Sequence, residues 1–153
     1  MTALKAKPTK EQARIAKLLE LNIARDTGRV AAARILTAVA NAIGQGHSTG
    51  QPKRHHRRQA DELGLDISGD SAAVAAARIA DELQRRNQEA FAKLNPKPGD
   101  RVRRVLVVEG KGQPIDMSVE GEITRIGKDM KIHLTVPGRR GKLYCWAVEL
   151  ERV

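Results

Sequence analysis

The hexapeptide VAAARI occurs twice, at Val30–Ile35 and at Val74–Ile79. Whether that pair is an accident of alanine richness or the trace of a duplication decides how the N-terminal part folds. Laying Arg14 over Arg58 and reading on without gaps answers it. Ala16 meets Ala60, Leu19 meets Leu63, Leu21 meets Leu65, and Ile23 meets Ile67. Asp26 then meets Asp70, Thr27 meets Ser71, and Val39 meets Leu83. The flanks match in hydrophobic spacing and in the residue types that start helices, which composition alone does not produce. A duplicated unit is the expectation.

Each copy reads as helix, short extended turn, helix. Glu11–Leu19 carries Ile15, Leu18 and Leu19 at helical spacing, and Arg57–Leu63 is its shorter, more polar counterpart. Gly64 suits a left-handed helix end. Asp26/Thr27 and Asp70/Ser71 are N-cap types for the second helix of each copy. Alanine favours that helix. Ala32, Ile35 and Val39, and in the second copy Ala76, Ile79 and Leu83, are expected on its inner side. Leu21 and Ile23, like Leu65 and Ile67, are expected to plug the space between helices.

The stretch RRQADELGLDISGDSAAVAAARIADEL, with Leu63, Gly64, Leu65, Ser68, Gly69, Ile79 and Leu83 in register, resembles the SAP-type DNA-binding motif. Similar SAP-like repeats accompany plasmid and phage DNA-processing proteins. The resemblance covers about 30 residues per copy and implies a helical hairpin that contacts DNA. The chain departs from it at Ala72 and Ala73, where the family often has lysine, and at Asn22-Ile23, where it has Gly-Leu. The first copy keeps Arg25 and Arg29 near its turn. Arg34 and Arg78 are equivalent. Each is read either as a phosphate contact or as a solvated arginine, with Arg78 within reach of Glu82.

Between the copies lies GQGHSTGQPKRHHRRQ. Its first half reads as a mobile linker. Its second half, Lys53-Arg54-His55-His56-Arg57-Arg58, is the densest basic cluster in the chain. A flexible basic arm of this kind holds phosphates, with a salt slope of roughly 0.9 per contact. Adjacent His55 and His56 lack further ligands at metal spacing, so no metal is expected.

The net charge of +10 across 153 residues points to a polyanionic partner. No apolar run is long enough to span a membrane, and MTALKAKPTKEQ has no signal-peptide core. One cysteine, Cys145, excludes an internal disulfide. These features suit a cytoplasmic protein, bacterial or from a phage or plasmid.

After Phe91 the texture changes. Pro96 and Pro98 end the helix begun near Ala72, and alternating valine- and isoleucine-rich stretches follow. Strands are expected at Val102–Val108, around Val119–Ile126, at Ile132–Val136, in KLYCWAVEL, and in the terminal LERV. Closure would remove their edges. PGDRV, GEITRI, KIHLTV and LERV in that order resemble small barrels of the KOW or Tudor kind. Those barrels meet nucleic acid, ribosome or RNA polymerase surfaces, and peptides. Tyr144 and Trp146 share one strand face, Leu143, Cys145 and Ala147 the other. Outward aromatics would make a platform beside Arg139 and Arg140. With three aromatics in all, a core placement is the expectation.

The expected fold is α+β. Tandem all-α hairpins (1–44 and 57–95), joined by a flexible basic linker (45–56), precede a five-stranded antiparallel β-barrel (96–153). No phosphate-binding glycine loop, zinc-protease helix or cysteine cluster is present, so neither catalysis nor a cofactor is expected. The expected role is a non-catalytic DNA-binding accessory protein making mainly phosphate contacts. Duplex DNA is preferred and RNA is the other nucleic-acid candidate. The candidate contacts are Arg25, Arg29, Arg34, Lys53, Arg54, Arg57, Arg58, Arg139, Arg140 and Lys142. The alternatives are an adaptor docking through the barrel on a nucleic-acid machine and RNA binding by the barrel.

Overall fold

The computed structural model describes residues 6–42 and 50–153. Four helices come first: α1 (Lys10–Leu18), α2 (Gly28–Ala42), α3 (Arg54–Leu63) and α4 (Ala72–Leu94). Antiparallel strands follow, so the chain is α+β as expected. It divides into two compact units inside α4, between Arg85 and Arg86.

Much of the helical unit's bonding repeats at the offset read from the sequence. Each first helix closes on a left-handed residue, Glu20 (φ 54°) in one copy and Gly64 (φ 68°) in the other. Leu21 and Leu65 then donate to Ala16 and Ala60, both at 2.8 Å. Thr27 and Ser71 cap α2 and α4, accepting from the amides of Val30 and Val74 at 3.2 Å. Just after the cap, Gly28 donates to Ala6 and Ala72 to Gly50, both at 2.7 Å.

Packing repeats as well. Ala16, Ile23 and Ala31 form the core of the first copy; Ala60, Ile67, Ala75 and Ile79 form that of the second. Ile23 and Ile67 do plug their hairpins. Between the copies, Val30 and Ala33 meet their own counterparts Val74 and Ala77. The polar contacts cross in the same reciprocal way: Thr37 with Ser71, and Thr27 with Asp81, which stands where Thr37 stands in the other copy. The two hairpins thus pack through one self-complementary face, as subunits of a two-fold dimer do.

Several expectations shift. Ala32, Val39, Ala76 and Leu83 are exposed, and Leu18 is 76% exposed. The inner face is Val30, Ala31 and Ala33, with Val74, Ala75, Ala77 and, as expected, Ile79. Small residues at the reciprocal face let two helices approach closely, which moves the buried stripe one residue toward the N-terminus. The basic cluster also differs from the flexible arm expected over 45–56: Arg54 to Arg58 are the first residues of α3. Residues 43–49, the Gly/Ser half of that linker, lie outside the described residues.

The second unit holds β1 (Arg101–Arg104), β2 (Val107–Glu109), β3 (Pro114–Asp116), β4 (Val119–Ile126), β5 (Ile132–Thr135), β6 (Leu143–Cys145) and β7 (Leu150–Arg152). Five form one antiparallel sheet, ordered β6-β5-β4-β1-β7, and β2 and β3 form a separate hairpin. The expected closed barrel is therefore an open sheet, with β6 and β7 as edges. KLYCWAVEL does not run as one strand. Glu149 Oε2 accepts from the Trp146 amide at 2.7 Å, and Ala147–Glu149 turn as a 3-10 helix. That turn ends β6 after three residues, and three-residue edges offer little for another strand to extend.

One face of the sheet is buried. Val102, Ile123, Ile132, Leu134, Leu143, Cys145 and Ala147 pack there with Leu94, Ala90 and Phe91 from the end of α4. Gly121 permits the close β4–β5 approach, since a Cβ there would lie 2.9 Å from the Thr135 carbonyl oxygen.

Candidate functional site

Fourteen basic and nine acidic side chains fall on each side of the Arg85/Arg86 division, so each unit carries +5. Total charge therefore does not locate a site. Which cations the fold neutralises does.

Arg34 Nε donates to Asp26 Oδ2 at 2.6 Å, and Arg78 Nη1 donates to Asp70 Oδ2 at the same distance. Arg78 also donates to the Asp66 carbonyl at 2.7 Å. The pairing runs from the turn to the second turn of the following helix, eight residues away. Neither the phosphate reading of Arg34 nor the Glu82 pairing of Arg78 matches this. Both arginines are clamps that hold the turn against the helix. The signal was present in the sequence: an Asp and an Arg repeat together at the same offset in both copies.

Arg29 is paired with Asp81 at 3.2 Å and hydrogen-bonded to Gln84 at 3.0 Å. Arg58 is paired with Glu62 at 3.2 Å on an exposed surface, where such pairs contribute little. The candidates that remain exposed, with no ion pair among the described residues, are Arg25, Lys53, Arg54 and Arg57 in the helical unit. Arg139, Arg140 and Lys142 are exposed in the same sense in the β5–β6 turn of the other unit.

Lys53, Arg54 and Arg57 surround the N-terminus of α3, the positive end of the helix dipole. The first turn of α3 carries no acidic side chain to compensate them. The Lys53 amide donates to His56 Nδ1 at 3.2 Å, where the first copy uses the Thr9 amide and Gln12 Oε1. Partial burial, then the charges of His55 and Lys53, hold the His56 imidazolium below its ordinary value of 6.5. The neutral imidazole is the form that accepts that bond.

Two open grooves flank the caps of α2 and α4. Arg57 lines one with Asp61, Asp66 and Asp70; Arg25 lines the other with Asp26, Asp81 and Arg85. Acidic side chains outnumber basic ones three to one in the first, and in the second three arginines, Arg78 among them, meet three acidic side chains, Glu82 among them. Neither is an anion cradle, although Arg57 and Arg25 line them.

Tyr144 and Trp146 are 55% and 39% exposed, contrary to the expected core placement. Leu143, Cys145 and Ala147 take the inward positions. Burial, then the Glu149 carboxylate, pushes the Cys145 thiol up to about 11, far from the thiolate range of a nucleophile at neutral pH. Among the described residues no three His, Cys, Asp or Glu side chains converge as metal ligands. Nor is any described helix long and apolar enough to cross a membrane. No family model, curated protein or solved structure matches the chain.

Proposed function

We propose that the chain is a non-catalytic nucleic-acid-binding accessory protein that holds duplex DNA through its phosphates. One observation carries this reading. Lys53, Arg54 and Arg57 stand together at the positive end of α3, exposed and without a carboxylate partner among the described residues. Placing cations there costs electrostatic free energy, and an external polyanion offsets it. Arg25 adds a fourth free cation, and the likeness of each hairpin to SAP-type motifs is in keeping with the assignment. Arg34 and Arg29, committed to internal carboxylates, are left out of the contact set.

The test is duplex binding by fluorescence anisotropy across a salt series. Replacing Lys53, Arg54 and Arg57 together by Ser is expected to weaken binding at low salt. It should also lower the slope of log affinity against log salt by about 2.7, from roughly 0.9 per phosphate contact. An unchanged slope overturns the assignment.

A second reading is favoured by a separate observation. Val107 and Ile115 of the β2–β3 hairpin are exposed, as are Val105, Leu106 and Met117 beside it. An apolar hairpin of this kind suits a protein partner on a larger nucleic-acid machine. Association that survives nuclease treatment and is lost in a Val107→Ser, Ile115→Ser variant supports the adaptor role.

A further inference from the structure

We propose that the outer face of the β4–β5–β6 end of the sheet is a stacking platform for unpaired bases. It is a second site, specific for single-stranded nucleic acid. The proposal goes beyond the duplex reading and uses different residues in the other unit.

Strand register builds the platform. Arg125 of β4 pairs across to His133 of β5, and His133 pairs across to Tyr144 of β6. Paired residues share a face, so the three side chains stand in one row on the solvent side. The His133 and Tyr144 rings meet edge to face, with centroids 4.6 Å apart. Beside them Lys131 Nζ lies 5.3 Å from the centroid of the Trp146 ring. The chain has one Phe, one Tyr and one Trp. Phe91 packs against the core, whereas Tyr144 and Trp146 stay 55% and 39% exposed. Ring area left exposed forgoes the stabilisation of apolar burial. A stacked base would cover that area in a chain with few other aromatics.

Charge distinguishes this end of the face from the other. Toward β1 and β7 the arginines are matched: Arg103 lies 2.9 Å from Asp116 and 3.9 Å from Glu151, and Arg101 lies 3.9 Å from Glu120. At this end Arg125 and Lys131, with Arg139, Arg140 and Lys142 in the β5–β6 turn, have no ion pair among the described residues, and Glu122 is an exposed carboxylate on β4. The nearby Asp129 carboxylate accepts from the Lys131 amide at 3.1 Å. Exposed rings ringed by unmatched cations are what a single strand requires. The rings stack on base faces and the cations follow the phosphates. A duplex keeps its base faces covered, so it gains only the charge term.

Trp146 is the chain's one tryptophan and therefore its own reporter. The full chain is titrated with oligothymidylate, oligouridylate, a duplex of equal length, and polyglutamate, following tryptophan fluorescence and anisotropy. Both single strands are expected to quench Trp146, and the ratio of their affinities ranks DNA against RNA. The duplex is expected to bind without comparable quenching. Tyr144→Ala should weaken single-strand binding about tenfold, with Tyr144→Phe restoring most of it, while duplex affinity holds. Tyr144 is exposed, so both variants should melt as the parent does. The Lys53, Arg54, Arg57 triple-Ser variant should keep the quenching, which separates failure of this site from failure of the duplex site. Absence of quenching by either single strand overturns the proposal. So does equal quenching by polyglutamate, which assigns the face to an acidic protein segment.

Discussion

The two helical copies share a skeleton and differ in their surface. Cap, left-handed helix end, plug residue and Arg–Asp clamp recur at one offset with matching distances. The start of the first helix does not recur. Thr9, Lys10 and Ala13 in one copy stand where Lys53, Arg54 and Arg57 stand in the other. Repetition therefore marks what holds a hairpin together, and divergence marks what was added to it. Arg34 and Arg78 belong to the first class, although their charge invites placement in the second. The α3 cluster belongs to the second class because the same fold forms in the first copy without it.

The largest test of that division removes the clamp. Arg78→Ala is expected to destabilise the helical unit by about 2–3 kcal/mol and Arg34→Ala by about 1–2 kcal/mol, measured by urea denaturation. The order follows from the extra bond of Arg78 to the Asp66 carbonyl. The side chains of Asp26 and Asp70 are 12% and 9% exposed, so each is left poorly solvated when its arginine is lost. Duplex affinity of the folded variants should match the parent. A large loss of affinity with little loss of stability would move these residues into the binding class.

A smaller effect exchanges the helix ends. Glu20 adopts φ 54° where the other copy has Gly64. Glu20→Gly is expected to raise stability by about 0.5–1 kcal/mol, because a side chain is disfavoured in that conformation. Gly64→Glu is expected to lower it by about 1–2 kcal/mol, and opposite shifts in melting temperature check the pair.

The smallest effect is one of pH. His56 and Gln12 do the same bonding work, and only His56 titrates. Its folded-state value lies below 6.5, so between that lowered value and 6.5 the unfolded chain binds more protons than the folded one. Stability is then complete above about pH 6.5 and declines as pH falls through the window. Melting curves between about pH 7 and pH 5 should show a shallow decline, which His56→Gln abolishes.

The helical unit was legible because its determinants are local. Thr27 and Ser71 are caps within reach of their own helix, and Ile23 and Ile67 alternate through turns of fixed length. The clamps were misread because rules for neighbours on a helix stop at four residues. Arg34 and Arg78 instead reach back over the turn to an aspartate eight residues earlier. The basic cluster was misread as a flexible arm because its residues repel one another and disfavour a helix start. In the structure the N-cap residue Lys53 makes no side-chain cap bond, and His56 Nδ1 instead accepts from the Lys53 amide.

In the sheet unit, alternation located most of the strands but not the closure. Closure depends on whether β6 and β7 meet, and the Ala147–Glu149 turn settles that through a bond from the Trp146 amide to a carboxylate three residues on. The same ambiguity hid the platform. Alternation shows that Tyr144 and Trp146 share a face without saying which face is wet.

The amino-acid order by itself determined the duplication, the helix starts, the strand-rich C-terminal part and the surplus of positive charge, because each rests on contacts within a few residues or on composition. Tertiary structure alone decided which arginines are matched, which sheet face carries the aromatic rings, and that the sheet stays open. Each of those depends on which segments, distant along the chain, come to lie side by side.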